Sequence, residues 1–189
     1  MAEHTLILGG ARSGKSAWAE RQAAEWAAAD AGRAVVVIAT GEARDEEMAA
    51  RIAQHRAQRP AGWQTVEAPL ALAEALAAAD GPQRLLLVDC LTLWLTNLLL
   101  ADLPADLDSV RALQPGPRWQ AGRAALLATL PQLQARVLMI GNEVGHGIVP
   151  LGAVNRLFVD ESGRLHQALA VQCAQVRFVM AGCVLPLKG

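Results

Sequence analysis

The chain has 189 residues, of which 53% are hydrophobic and 19% are charged, and its formal net charge is −1. The hydrophobic content excludes a disordered chain, and the length suits one α/β domain, residues 1–189, with a buried core. The near-neutral charge provides no general attraction to nucleic acid or to a membrane surface. The longest apolar run, residues 91–101, is too short to cross a bilayer, so we expect no integral membrane segment.

The three cysteines, Cys90, Cys173 and Cys183, form neither a C-x-x-C motif nor a zinc-binding spacing. An odd number of cysteines in a chain without a recognisable signal peptide is typical of a reducing compartment. We therefore expect a cytoplasmic protein.

Hydrophobic periodicity and turn residues predict an alternation of strands and helices along the chain. Strands are predicted at 5–9, 34–39, 63–66, 84–88 and 136–140, helices at 15–30, 44–59, 70–79, 91–100, 119–134 and 152–173, and a terminal strand pair at 175–180 and 183–187. Residues 102–118 contain three prolines and are predicted to form a loop with at most one short helical turn. This alternation predicts an α/β fold with a mostly parallel sheet, helices on both faces and a short C-terminal antiparallel hairpin.

The most informative motif lies between the first predicted strand and the first predicted helix. It reads Gly9-Gly10-Ala11-Arg12-Ser13-Gly14-Lys15-Ser16, the pattern of a phosphate-binding loop, or P-loop. Glycines let successive backbone N–H groups point at one anion, and the helix start adds further unpaired N–H groups. The motif predicts that Lys15 reaches the β- and γ-phosphates of a nucleotide and that Ser16 offers its hydroxyl to Mg²⁺. The alternative is a chance glycine turn before a helix.

Further polar residues are predicted at the carboxyl ends of the strands, where such sheets bind ligands. Asp89 follows the apolar strand 84–88, and a carboxylate at that position holds Mg²⁺ in P-loop enzymes. The alternative for Asp89 is an N-cap of the following helix. Glu143 also follows a strand, and it is predicted either to contact the substrate or nucleophile or to be a turn residue.

His55 lies on the predicted helix 44–59, where Arg51, His55 and Arg59 are spaced four residues apart and therefore share a face. The guanidinium groups, including that of the adjacent Arg56, favour the neutral imidazole and attract a polyphosphate. A neutral imidazole beside a bound triphosphate is a competent nucleophile toward phosphorus. The alternative is a histidine on a solvated basic helix face.

An ordered series of motifs runs along nearly the whole chain. The most specific are the helix around His55 and the stretch N-E-V-G-x-G-I-V-P at 142–150, and the phosphate loop is the least distinctive. The series also includes D-E-E-M-A-A-R-I at 45–52, D-C-L-T at 89–92 and G-R-L at 163–165. Together these motifs resemble those of the bifunctional adenosylcobinamide kinase/adenosylcobinamide-phosphate guanylyltransferase family of cobalamin biosynthesis.

The resemblance implies a RecA-like sheet, a homotrimer, Mg²⁺ and two activities on a small corrinoid substrate. The first phosphorylates adenosylcobinamide with ATP or GTP, and the second attaches GMP from GTP through a covalent histidine intermediate at the position of His55. It implies that His55 and Lys15 are catalytic and that Ser16 and Asp89 contact the metal. Nucleotide contacts are expected at Gly9, Gly10, Ala11, Arg12, Ser13, Gly14, Lys15, Ser16, Ala39, Thr40, Gly41, Arg56, Ala57, Gln58, Arg59, Glu67 and Asp89.

Two other hypotheses stay open on the sequence. One is a simple P-loop kinase in which His55 is structural. The other is a RecA-like nucleotide-binding module without corrinoid chemistry, which the short chain and the near-neutral charge disfavour. We expect no nucleic-acid partner, because the near-neutral charge provides no general attraction to one.

Overall fold

The computed structural model of the chain describes residues 3–43, 45–103 and 112–189. Its strands are β1 (Thr5–Gly9), β2 (Ala34–Ala39), β3 (Gln64–Glu67), β4 (Arg84–Asp89), β5 (Arg136–Asn142), β6 (Gln175–Met180) and β7 (Cys183–Lys188). Its helices are α1 (Lys15–Ala28), α2 (Glu46–Gln58), α3 (Leu72–Ala78), α4 (Leu91–Leu100), α5 (Pro117–Thr129) and α6 (Ala153–Gln172), with a 3₁₀ turn at Leu130–Gln132.

The strands form one seven-stranded sheet in the order β3-β2-β4-β5-β1-β6-β7. Every neighbouring pair is parallel except β6 and β7, which are antiparallel. The predicted fold class is therefore confirmed, including the C-terminal hairpin. Because β1 lies between β5 and β6, the phosphate loop that follows it starts near the middle of the sheet.

The core has two layers, one on each face of the sheet, as the alternating side chains of a strand require. Leu6 and Leu8 of β1 pack on one face with α3, α4, α5 and α6, and Ile7 packs on the other face with α1. On the first face the rings of Trp94 and Trp119 meet edge to face, with their centroids 5.4 Å apart. The central strands are consequently packed on both faces, and the carboxyl ends of the strands hold the loops of the candidate site.

Helix α2 is shorter than the predicted helix 44–59. Asp45 is its N-cap, since the Asp45 carboxylate accepts a hydrogen bond of 2.7 Å from the backbone N–H of Met48. The helix ends at Gln58, and Arg59 has extended backbone angles (φ −80°, ψ 147°). The residue before a proline avoids the helical region, so Pro60 accounts for this end. The prediction that Arg59 lies on the helix was therefore wrong.

The loop before α5 and the end of that helix also differ in detail from the prediction. Residues 112–116 have no regular structure, as predicted, while 104–111 lie outside the described residues. Helix α5 begins at Pro117, because proline suits the first helical turn, where its missing N–H costs nothing. Beyond Thr129 the predicted helix gives way to a 3₁₀ turn that contains Pro131.

Candidate functional site

The phosphate loop joins β1 to α1 and places two residues in the left-handed region of backbone angles. Arg12 and Gly14 have positive φ values of 55° and 97°. Gly9 is required by space, because a Cβ at this position would lie 2.3 Å from the carbonyl oxygen of Val179. The backbone N–H of Gly182, in the turn between β6 and β7, donates a 2.8 Å hydrogen bond to the carbonyl oxygen of Ser13. The loop is thus held against the terminal hairpin, with the start of α1 behind it.

Lys15 is buried at the start of α1, and its Nζ donates a 3.0 Å hydrogen bond to the carbonyl oxygen of Gly10. Burial lowers the pKa of Lys15, and the Coulomb interactions with Cys90 and Asp89 act in the opposite direction. The Lys15 ammonium group therefore lies against the backbone of the phosphate loop itself. From this position a primary amine on a slim chain can contact a phosphate held by the loop.

A cavity of about 780 Å³ opens beside the phosphate loop. Its walls come from the loop, from α2 and from the carboxyl ends of β2, β3, β4 and β5. The predicted nucleotide, metal or catalytic residues that line it are Lys15, Ser16, Ala39, Gly41, His55, Arg56, Arg59, Glu67 and Asp89. Met48, Ile52, Leu93 and Asn142 contribute further to its lining. The two centres predicted from separate motifs, the phosphate loop and His55, therefore face one cavity.

Thr40 lies in the wall behind the cavity and is fully buried. Its Oγ1 donates to the carbonyl oxygen of Cys90 at 2.6 Å and accepts from the Cys90 N–H at 2.9 Å. The side-chain amide of Asn97 donates to the carbonyl oxygen of Thr40 at 2.9 Å. This network joins the ends of β2 and β4, so the Thr40 side chain supports Ala39 and Gly41, which line the cavity.

Asp89 ends β4 and forms an ion pair with Arg59, with 2.6 Å between Asp89 Oδ2 and Arg59 Nη2. The alternative of an N-cap is wrong, because the N-cap of α4 is Cys90 and no side-chain hydrogen bond caps this helix. Arg59 Nε also lies 3.5 Å from Oε1 of Glu20, a residue of α1 that the sequence reasoning missed. A signal for Glu20 exists in the sequence, since it lies one helical turn after Ser16.

His55 is half-buried on α2 and lies near Glu20. Burial raises the pKa of Glu20, Arg59 lowers it, and smaller contributions come from Asp89 (raising) and His55 (lowering). Next to His55 on the helix, Arg56 forms an ion pair with Glu67 of β3 at the mouth of the cavity. Both partners are largely exposed, so this pair contributes little to stability.

Three further predicted residues of this region do not line the cavity or cannot be placed. Ala57 is exposed on α2. The side chains of Arg51 and Gln58 lie outside the described residues. Of the expected face, the structure describes the side chains of His55 and Arg59, and the Arg59 guanidinium is directed to Asp89 and Glu20.

Glu143 follows β5 and shows the turn role that was predicted as its alternative. Its Oε1 accepts a 2.6 Å hydrogen bond from the backbone N–H of Gly145. Its Oε2 lies 3.7 Å from Nδ1 of the buried His166 on α6, a partner that the sequence did not indicate. Burial lowers the pKa of His166, and the Glu143 carboxylate acts in the opposite direction. Asn142, the neighbour of Glu143, is the residue of this pair that reaches the cavity.

The donors available for Mg²⁺ fit the way this ion binds in nucleotide sites. Within the described residues, no three His, Cys, Asp or Glu side chains cluster so as to hold a metal ion by themselves. Mg²⁺ takes one or two carboxylates together with phosphate oxygens and water, so it needs no complete protein cage. Ser16 and Asp89 line the same cavity and provide a hydroxyl and a carboxylate, both hard oxygen donors.

None of the helices that the structure describes is both long and apolar enough to cross a lipid bilayer. The remaining histidines have structural or surface positions. His4 is buried and hydrogen-bonds the carbonyl oxygen of Leu130 at 2.8 Å, whereas His146 is exposed.

Comparison with known proteins places this architecture in one family. A family model described as "Cobinamide kinase / cobinamide phosphate guanyltransferase" matches residues 5–187. The chain is 54% identical over 184 residues to the "Bifunctional adenosylcobalamin biosynthesis protein CobP" of Pseudomonas aeruginosa, covering 97% of this chain and 96% of the relative. It is 38% identical to the "Bifunctional adenosylcobalamin biosynthesis protein CobU" of Escherichia coli over 186 residues, covering 97% and 98%. The protein of the same name from Salmonella typhimurium is 36% identical over 190 residues, with the same coverage. The chain therefore belongs to the cobinamide kinase/cobinamide phosphate guanyltransferase family.

Proposed function

We propose that this chain is a transferase that phosphorylates adenosylcobinamide with a nucleoside triphosphate and then transfers GMP from GTP to the new phosphate, giving adenosylcobinamide-GDP. The family description and the relatives' names support the substrate class and the two activities. The observation that carries the proposal is that Lys15 and His55, from two separate motifs, line one cavity beside the phosphate loop.

In the kinase step the hydroxyl oxygen of the substrate's aminopropanol arm attacks the γ-phosphorus. The bond from that phosphorus to the β–γ bridging oxygen breaks, and a nucleoside diphosphate leaves. The hydroxyl proton passes to a base at the same sheet edge, for which the carboxylate of Asp89, which lines the cavity, is available. Lys15 and the loop N–H groups stabilise charge on the phosphates, and Mg²⁺ on Ser16 and Asp89 would add to this.

In the guanylyl step the unprotonated ring nitrogen of His55 attacks the α-phosphorus of GTP. A phosphorus–nitrogen bond forms, the bond to the α–β bridging oxygen breaks, and pyrophosphate leaves. An oxygen of the substrate phosphate then attacks the same phosphorus, which breaks the phosphorus–nitrogen bond and restores the imidazole. Two displacements at one phosphorus replace a single difficult one. Arg56 and Glu67 lie at the mouth of the cavity, where they would contact the nucleoside.

The covalent step is tested with GTP labelled at the α-phosphate and Mg²⁺, without corrinoid. The wild type is expected to retain acid-labile label, and His55→Ala is expected to lose it. His146→Ala, which alters an exposed histidine outside the cavity, is the matched control and should label like the wild type. A wild type that retains no label excludes the histidine intermediate. If phosphorylation of adenosylcobinamide still occurred in that case, the protein would be a simple P-loop kinase.

We further propose a cytoplasmic homotrimer, as the family resemblance implies. The three cysteines are free thiols, which is consistent with a reducing compartment. Light scattering on the purified protein should give three times the chain mass of 20.0 kDa. A monomer mass at micromolar concentration would contradict the trimer.

A further inference from the structure

The Arg59 guanidinium lies between carboxylates from two different elements. Its Nη2 is 2.6 Å from Oδ2 of Asp89 on β4, and its Nε is 3.5 Å from Oε1 of Glu20 on α1. Only 7% of the Arg59 side chain is exposed, against 21% for Glu20. A guanidinium this deeply buried needs compensating negative charge, so both carboxylates contribute to holding it in place.

Glu20 is placed rigidly relative to the phosphate loop. It lies on α1, one turn after Ser16, and the helix packs on the sheet through the fully buried Ala19 and Ala23. Among the residues that the structure describes, those lining the cavity include Arg59 and Asp89 but not Glu20. Glu20 therefore reaches the site through Arg59 and not through a bound nucleotide.

Helix α2, which carries His55, has little hydrophobic anchorage of its own. Its described side chains are exposed or half-buried, and none is fully buried. The end of the helix is instead held mainly by the ion pairs of Arg59 with Asp89 and Glu20, and the exposed pair of Arg56 with Glu67 adds little. Because Arg59 follows the last helical residue directly, the position of its guanidinium determines where that end of α2 lies.

We propose that Glu20 is a positioning residue for guanylyl transfer: it holds Arg59 against the phosphate-loop helix and so sets His55 at the α-phosphorus. The inference rests on the proposed function. Only the guanylyl step uses His55 as a reacting group, so that step depends most closely on where α2 ends. Asp89 cannot separate the two steps in this way, because it lines the cavity and would contact the metal in both.

The test compares Glu20→Gln and Glu20→Asp with the wild type in two assays on the intact protein. One is the single-turnover rate of self-labelling by α-labelled GTP. The other is the rate of phosphate transfer from γ-labelled ATP to adenosylcobinamide. Glu20→Gln should slow self-labelling about tenfold to a hundredfold, the range expected when a reacting group is displaced by about 1 Å. Phosphate transfer should stay within about twofold of wild type, and Glu20→Asp, which keeps the charge, should label faster than Glu20→Gln.

Equal losses of both activities in Glu20→Gln would overturn the inference, as would wild-type labelling in that variant. Equal labelling by Glu20→Gln and Glu20→Asp would overturn it too, because a role in holding a cation requires the carboxylate. If the wild type itself retains no label, the histidine intermediate fails and takes this inference with it. If the wild type is labelled and Glu20→Gln is labelled equally well, the role of Glu20 is refuted, while the histidine intermediate stands.

Discussion

The two adjacent glycines at the start of the phosphate loop are predicted to differ sharply in their tolerance of a side chain. A Cβ on Gly9 would lie 2.3 Å from the carbonyl oxygen of Val179 and 2.7 Å from Oγ of Ser13. Close contacts between carbon and oxygen are about 3.3 Å or more, so the backbone of β1 or β6 must move by about 1 Å. A Cβ on Gly10 would meet nothing within 4 Å.

Gly9→Ala should lower the free energy of unfolding by about 3 kcal/mol, which is the upper part of the range for overpacking. The upper part applies because the nearest atom belongs to the backbone and not to a flexible side chain. For a domain of this size that corresponds to a fall in melting temperature of roughly 6–12 °C. Gly10→Ala should leave the melting temperature within about 2 °C of wild type, which is less than 1 kcal/mol.

The assay is thermal unfolding followed by circular dichroism on the wild type and on both variants at the same protein concentration. The glycine pair provides its own control, since the substitutions are chemically identical and one residue apart. If Gly9→Ala were as stable as Gly10→Ala, the packing of β1 against β6 described above would be wrong.

Three further outcomes are expected. Lys15→Ala should abolish both the kinase and the guanylyl activity in the labelling assays, because both reactions require the triphosphate to be bound at the phosphate loop. Guanylylation that stayed intact in this variant would require a second nucleotide site. Burial lowers the pKa of His4 and His166 from the ordinary value of about 6.5. Below pH 6.5 the unfolded chain therefore binds protons that the folded chain does not bind. The free energy of unfolding should accordingly fall as the solution is acidified. His4→Gln should make the melting temperature less dependent on pH between 7 and 5 (roughly the range in which histidine titrates), and an unchanged dependence would exclude a contribution from His4. Trp119→Phe removes the donor of the 2.6 Å hydrogen bond to the buried carboxylate of Glu161. The variant should lose about 2 kcal/mol of the free energy of unfolding, measured by urea titration. A variant as stable as the wild type would contradict this.

The sheet was predictable because its strands are short apolar runs bounded by turn residues. Residues 34–39 illustrate this, since the predicted strand and β2 coincide. The order of strands along one edge then follows from general rules of α/β sheets, so Asp89 and the phosphate loop could be expected near each other.

Side-chain partners within the site were harder to predict, because they depend on directions that the sequence does not encode locally. Pro60 signalled the end of α2, yet nothing in the sequence indicated that Arg59 would point to β4 and α1. The sequence places Glu20 one helical turn after Ser16, but only the position of Arg59 shows that Glu20, and not Glu25, is the carboxylate of α1 that is used. The approach of His166 to Glu143 likewise depends on how α6 packs over β5, which periodicity alone does not determine.

The position of β1 has a consequence for the order of events during synthesis. Thr5 pairs with Leu138 of β5 on one side and with Gln175 of β6 on the other. Both neighbours are translated long after β1, and so is Gly182, which bonds the carbonyl of Ser13. The phosphate loop thus emerges from the ribosome long before the strands that flank it, and it is among the last segments to close, since β1 finds its neighbours only when β5 and β6 exist. Pairings this distant in sequence fold slowly, and a nascent chain interrupted before the hairpin would expose an unpaired edge of β1.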